Sequence, residues 1–239
     1  MTSIKNIFCI LIVIIITFTL FDFSMIDIWV QNFLYNFDEN HWTVSIEKNS
    51  ISHFIFYDGI KLLLKSFEIL LLLSLIFLRK NIWIKNNIAG LFIVFLSLII
   101  VPSVASTIKG ISNVACPSSL TEYGGKIPYT PVLKPYPEGE KPAKNQRCFP
   151  AGHASGGFAL LSLFFLATSA RQRKQALALS LTTGWLMGGY KMLAGHHFLS
   201  HTIISMMLAW LIVNIIVFCA DAFFIKKPIN KNVLVIDNV

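Results

Sequence analysis

"IAGLFIVFLSLIIVPSVAS", residues 88–106, contains no charged side chain. A helix of about 20 apolar residues crosses the hydrocarbon core of a bilayer, and it satisfies its own backbone hydrogen bonds on the way. Five further runs, about 7–24, 60–78, 152–170, 176–194 and 202–225, read the same way. Composition agrees: the chain has 239 residues, 55% hydrophobic and only 13% charged, where a soluble domain carries roughly 25% charged residues. Mean hydropathy is +0.66. The expectation is an all-α fold, a six-transmembrane-helix bundle, forming one integral membrane domain over 1–239. Membrane lipids are its expected surroundings, and nucleic acid is not an expected partner.

The first run, "IFCILIVIIITFTLF" (7–21), is longer than the apolar stretch of a signal peptide. No small-x-small cleavage site follows before "DFSMIDIW" (22–29), so a retained helix is expected. Short basic loops mark the cytoplasmic side. "RKNIWIK" (79–85), "RQRK" (171–174) and "KK" (226–227) fall on one side of six spans, and both termini join them. The opposite side receives 25–59, the long loop 107–151 and "GHHFLSH" (195–201). That loop is itself basic, with Lys109, Lys126, Lys134, Lys141, Lys144 and Arg147 against Glu122, Glu138 and Glu140. Either the orientation is inverted or those charges serve an anionic ligand.

Pro and Gly punctuate the loop throughout, so turns and extended backbone should dominate. Cys116 and Cys148 bracket it. On an oxidising face they can pair, contributing roughly 3–4 kcal/mol in the chain-entropy model; on a cytosolic face they would stay reduced. Cys9 and Cys219 lie in apolar runs and are expected to be buried and inert. Lys61, Lys65 and Glu68 share a face near the start of the second run. Lys65 and Glu68 are expected to neutralise each other three residues apart, with Lys61 reaching to the interface.

Three separated stretches place polar residues at run ends that face the same side, whichever side is outside. They are "KGISNVACP" (109–117), "FPAGHASGG" (149–157) and "YKMLAGHHFLSH" (190–201). In the second, Pro150 suits a first helical turn, and Gly152 lets a ligand approach the backbone. The free N–H groups of that turn favour a phosphate, and His153 is placed to give a proton. The bland alternative is small-residue helix packing. In the third, His197 and His201 share a face if the last helix has begun there. A histidine oriented by a neighbour is a usable nucleophile. His196 points elsewhere and reads as an interfacial or supporting residue.

These stretches resemble the motifs of the type 2 phosphatidic acid phosphatase (PAP2) superfamily of membrane lipid phosphatases. The family pattern is Lys-x6-Arg-Pro, Pro-Ser-Gly-His and Ser-Arg-x5-His-x3-Asp. This chain offers Lys109-x6-Cys116-Pro117, Pro150-Ala151-Gly152-His153 and Tyr190-Lys191-x5-His197-x3-His201. Order and spacing are kept over a core of 107–205, whereas 1–58 has little to match. Cys116 and Lys191 stand where the family has arginine, Ala151 where it has serine, and His201 where it has aspartate. Lysine is a point charge where arginine is a bidentate fork, and Arg147 is the candidate for the missing guanidinium.

The resemblance implies that His197 attacks phosphorus and forms a phosphohistidine. It implies that Lys109, Lys191, Arg147 and N–H groups near Gly152 hold the phosphate oxygens. His153 would protonate the leaving oxygen and then activate water, with no metal or other cofactor. A neutral His201 would accept a hydrogen bond from His197, so activity should fall below roughly pH 6, where an ordinary histidine takes a second proton. The implied substrate is a lipid phosphate or diphosphate, cleaved at the periplasmic face of a bacterial inner membrane. Lipid A phosphatase-like members are closest in feel. Undecaprenyl diphosphate hydrolysis and phosphate transfer to another lipid are alternatives within the family, and the sequence leaves the oligomeric state open. Outside the family, His153, His197 and His201 could bind zinc, though Lys109 and Lys191 would repel a cation. A transporter or structural component is the non-enzymatic reading, against which the sparse intramembrane charge counts.

Overall fold

The computed structural model describes residues 3–44 and 51–225. The tail 226–239, with the basic pair Lys226 and Lys227, lies outside the described residues. The chain is mostly helical. α1 (Ile4–Asp22) and α2 (Ile26–Asn32) lead into a small hairpin of β1 (Tyr35–Asn36) and β2 (His41–Trp42), antiparallel with Tyr35 opposite Trp42. α3 (Ile51–His53) passes through a π-helical stretch, Phe54–Gly59, into α4 (Ile60–Phe77). The short α5 (Ile82–Asn86) turns the chain into α6 (Ile88–Ile111). After an irregular loop, α7 (Gly152–Phe158) continues through a 3-10 turn into α8 (Leu163–Leu166). α9 (Ala170–Leu193) and α10 (Leu199–Ile225) complete the bundle.

Helices occupy all six expected positions, but among the described residues only α1, α6 and α10 are long and apolar enough to cross a membrane. The others fall short for separate reasons. Lys61, Lys65 and Glu68 interrupt α4, and Arg171, Arg173 and Lys174 open α9. The run expected over 152–170 ends at Leu166. Its early end is set by Ser169, whose Oγ accepts from the Gln172 N–H while Gln172 Oε1 accepts from the Ser169 N–H. This capping box starts α9 at Ala170, so "RQRK" is the first turn of a helix and not the loop before it.

α7 sits at the centre, packed against α6, α9 and α10. Two glycines set its contact with α9: a Cβ on Gly157 would stand 2.7 Å from the Gly184 backbone nitrogen. The "GHASGG" stretch therefore does pack as small-residue helix contact, and the same helix delivers His153. Val94, Val101, Ala154, Phe158, Ala209 and Val213 form the middle of the core. Outside it, α1 and α4 expose large apolar side chains such as Ile15, Ile16, Leu63 and Phe77. A water-soluble monomer rarely leaves so much apolar surface open; a membrane protein does. Cys9 and Cys219 are exposed, not buried; Cys9 lines an open apolar cavity with Leu161, Met206 and Trp210.

Candidate functional site

The end of α6, the start of α7 and the turn between α9 and α10 meet at one end of the bundle. Backbone hydrogen bonds knit them together: Cys148 N–H donates to Val114 O, Ala151 N–H to His201 O, and Ser118 N–H to Gly195 O. Ser112 Oγ donates to Phe149 O at 2.7 Å. A disulfide joins Cys116 to Cys148, with Cα atoms 5.2 Å apart. It ties the stretch that follows α6 to the stretch that precedes α7.

Lys109 lies in the last turn of α6 rather than beyond it, and Lys191 in the last turn of α9. A helix carboxyl end favours a cation. Lys109 Cδ is 3.9 Å from where a Cβ on Gly152 would stand, so this lysine covers the start of α7. Pro150 lies outside α7, whose N-cap is Ala151 with no capping side chain. The first-turn N–H groups of α7 are therefore not taken up by a side-chain cap. Arg147 is exposed, with its guanidinium near Gly110 at the end of α6.

His197 is buried at 3% exposure in the turn before α10. Its Nδ1 lies 3.8 Å from Cys148 Sγ, which leaves Nε2 as the nitrogen available for attack. Burial pushes its pKa well below the ordinary value, and His201, Lys109, His153 and His196 add repulsion; the ring is neutral at neutral pH. His196 is exposed in the same turn, and burial of part of its ring, then Lys191 and Lys109, lower it to about 4.

The expected hydrogen bond between His197 and His201 is not formed. α10 begins at Leu199, so His197 precedes the helix and the pair lacks i, i+4 geometry. The rings stand 5.7 Å apart, edge to face. His201 instead accepts at its backbone carbonyl from the Ala151 N–H, and its Nδ1 is buried with no hydrogen-bond partner among the described residues. It also lines a small cavity with Asp22, Asp27, Tyr129 and Ser200.

The zinc reading loses its donor set. The group whose ligand atoms lie within 4.8 Å of one another is Cys148, His197 and His201, without His153. The Cys148 sulfur is already bonded to Cys116. Lys65 and Glu68 form no ion pair among the described residues; both line a cavity of about 190 Å³ with Leu64, Gly152, His153 and Met187.

The structure also brings in residues that no motif marks. Asp27, on α2, caps the start of α10: its Oδ1 accepts from Ser200 N–H at 2.9 Å and its Oδ2 from the Ser200 hydroxyl. Burial raises its pKa to about 6 against the lowering effect of those Ser200 bonds. Gln31 Nε2 donates to Met192 O at 3.0 Å. Gly195 adopts φ +69, and a Cβ there would stand 2.3 Å from the Trp42 ring, so only glycine fits under this indole. Tyr57 Oη is 2.6 Å from His153 Nε2. A faint signal existed for Asp27, since a carboxylate inside "SMIDIWV" must find partners if buried. Nothing comparable marked Gln31, Trp42 or Tyr57.

The described residues thus form a helical bundle with three helices long and apolar enough to cross a membrane, and a cluster of histidines and lysines at one end. Residues 90–224 match the PAP2 superfamily, and the chain belongs to that superfamily, whose members are phosphatases. No curated protein and no solved structure matches the chain.

Proposed function

We propose that the chain is a membrane lipid phosphatase that works through a phosphohistidine on His197. The observation that carries this reading is the convergence at one bundle end of a buried, neutral His197 with Lys109, Lys191 and His153. A neutral imidazole with a free Nε2 is a nucleophile, and cations around it stabilise charge on the equatorial phosphate oxygens.

In the proposed cycle His197 Nε2 attacks phosphorus and the bond to the lipid oxygen breaks. Lys109, Lys191 and the N–H groups at Gly152 hold the phosphate, and Arg147 approaches from the loop side. His153 hands a proton to the leaving oxygen, then takes one from the water that cleaves the phosphohistidine. His201 acts indirectly, by bracing the Cys148 segment against His197.

The substrate class follows from the setting: an anionic headgroup at the helix ends with chains in lipid. The basic loop favours such a headgroup electrostatically. We place the site on the periplasmic side of a bacterial inner membrane, with all six helices in the bilayer and one domain over 1–239; lipid A is among the candidate substrates.

Phosphate release by purified protein tests the reading. Lipid A, undecaprenyl diphosphate, phosphatidylglycerophosphate and phosphatidic acid would be compared in detergent with chelator present. Release that disappears in His197→Ala is expected; release that persists in the variant, or that the chelator abolishes, sinks the mechanism.

A further inference from the structure

One side chain outside every motif touches two of the groups assigned to the phosphate site. Tyr57 lies in the π-helical stretch Phe54–Gly59 ahead of α4. A π-turn accommodates an extra residue and re-aims the side chains around it, which is why such turns gather at functional sites. Here it directs Tyr57 into the bundle end. The hydroxyl reaches His153 Nε2 at 2.6 Å, and the two rings lie 4.6 Å apart. Lys191 Nζ sits 4.1 Å from the centre of the Tyr57 ring.

Neither partner has an alternative among the described residues. His153 Nδ1 is buried with no hydrogen-bond partner, so the Tyr57 hydroxyl is what fixes the imidazole's rotation. Lys191 is buried at 6% exposure with no carboxylate at ion-pair distance; the electron-rich ring face lies 4.1 Å from its Nζ, and Asp58 attracts it only from beyond ion-pair distance. Desolvation strengthens such a contact. The His53 ring packs on Tyr57 at 4.7 Å, and His53 Nδ1 pairs with Asp58 Oδ2 at 3.2 Å. The tyrosine thus has a second ring packed against it.

We propose that Tyr57 is a positioning residue of the phosphate site: its hydroxyl orients His153 and its ring face holds the Lys191 ammonium. The proposal rests on the reading of His153 and Lys191 as site groups. The two actions use different parts of one side chain, so chemistry can separate them. Phenylalanine keeps the ring face and loses the hydroxyl; leucine loses both.

The test compares kcat and KM of the full-length protein, Tyr57→Phe and Tyr57→Leu on dioctanoyl phosphatidic acid in detergent. A proton-transfer group released from its orientation costs about 10- to 100-fold. Tyr57→Phe is therefore expected to lower kcat by at least about tenfold and to leave KM within about twofold. Tyr57→Leu is expected to show the same loss in kcat and a KM raised about tenfold, the equivalent of a lost cation–π contact. A Phe variant with wild-type kcat overturns the role of the hydroxyl, and a Leu variant with the KM of the Phe variant overturns that of the ring.

Should the wild type release no phosphate from any lipid, the phosphatase reading fails by itself. The same three proteins are then compared for orthovanadate binding by calorimetry. Weaker binding in Tyr57→Leu alone, by about tenfold, supports the ring platform; equal affinities overturn it.

Discussion

Two regions meet around the turn that carries the candidate nucleophile. The region from Lys109 to His201 sets the cations Lys109, Lys191 and Arg147 among four histidines, with no carboxylate at ion-pair distance. The segment from Asp27 to Tyr57 brings the opposite chemistry, namely a buried carboxylate on Ser200, an amide on Met192 O, an indole over Gly195 and a phenol on His153. A site that awaits an anion repels itself, and cannot also be its own scaffold. The second region supplies that scaffold with dipoles, ring faces and one acid placed just outside the cationic cluster. Chemistry and positioning are thus divided between two parts of the chain.

The largest expected effect is in the chemical half. His197→Ala should lower phosphate release by at least about 10³-fold with the thermal midpoint little changed, measured side by side on purified protein. A parallel fall in stability would mean that His197 is itself a scaffold residue, and the division would fail.

In the scaffold half the order of effects reverses, with stability lost first. Replacing Cys116 and Cys148 by serine should cost about 3–4 kcal/mol, read as a lower melting temperature that reductant does not reduce further. Asp27→Ala leaves the Ser200 N–H and hydroxyl without their acceptor, at roughly 1.5–3 kcal/mol for a hydrogen bond to a charged group. Asp27→Ala should lower kcat as well, because Ser200 begins the helix that follows the His197 turn; unchanged kcat would uncouple α2 from the site.

Smaller effects sharpen the boundary. Arg147 is exposed and unpaired by any ion pair among the described residues, so Arg147→Ala should raise KM only about threefold, the scale of a solvent-screened charge, and added salt should erase the difference. The smallest change is expected with pH. The expected fall in activity below roughly pH 6 assumed that a neutral His201 accepts a hydrogen bond from His197. The two rings stand edge to face 5.7 Å apart without that bond, and burial holds His197 itself neutral well below that range. The unfolded chain takes up the proton first as pH falls through 6.5, so the neutral buried ring also weakens the fold in acid while leaving it unaffected above. Flat kcat from pH 7 to 8 is expected, with any fall nearer pH 6 belonging to Asp27 and lost in Asp27→Asn; an acid limb centred near 6.5 that persists in Asp27→Asn would mean that His197 titrates normally.

Much of the chemical half was legible because its residues come at fixed spacings on helix ends. Apolar runs placed the helices, and alternation of direction put Lys109, His153 and His197 at one end. The misreadings have local causes. A run of small and apolar residues from 152 to 167 hid the break at Leu166, although Ser169 and Gln172 carry the capping-box signature. The spacing of His197 and His201 suggested a helical pair, but Gly195 bends the turn and delays α10 to Leu199. The scaffold half was illegible for a different reason. Tyr57 to His153, Asp27 to Ser200 and Gln31 to Met192 are single contacts across 96, 173 and 161 positions, and no periodicity connects such pairs.

The most direct measurement is to look for the covalent intermediate. Wild-type protein and His197→Ala would be mixed with phosphatidic acid for seconds, quenched in alkali, where a phosphoramidate survives, and digested for mass spectrometry. A phosphate mapped to His197 in the wild type and missing from the variant is the expected result. Turnover of the lipid with no phosphate trapped on His197, or with phosphate on His153 or His201 instead, would contradict the assignment of the nucleophile.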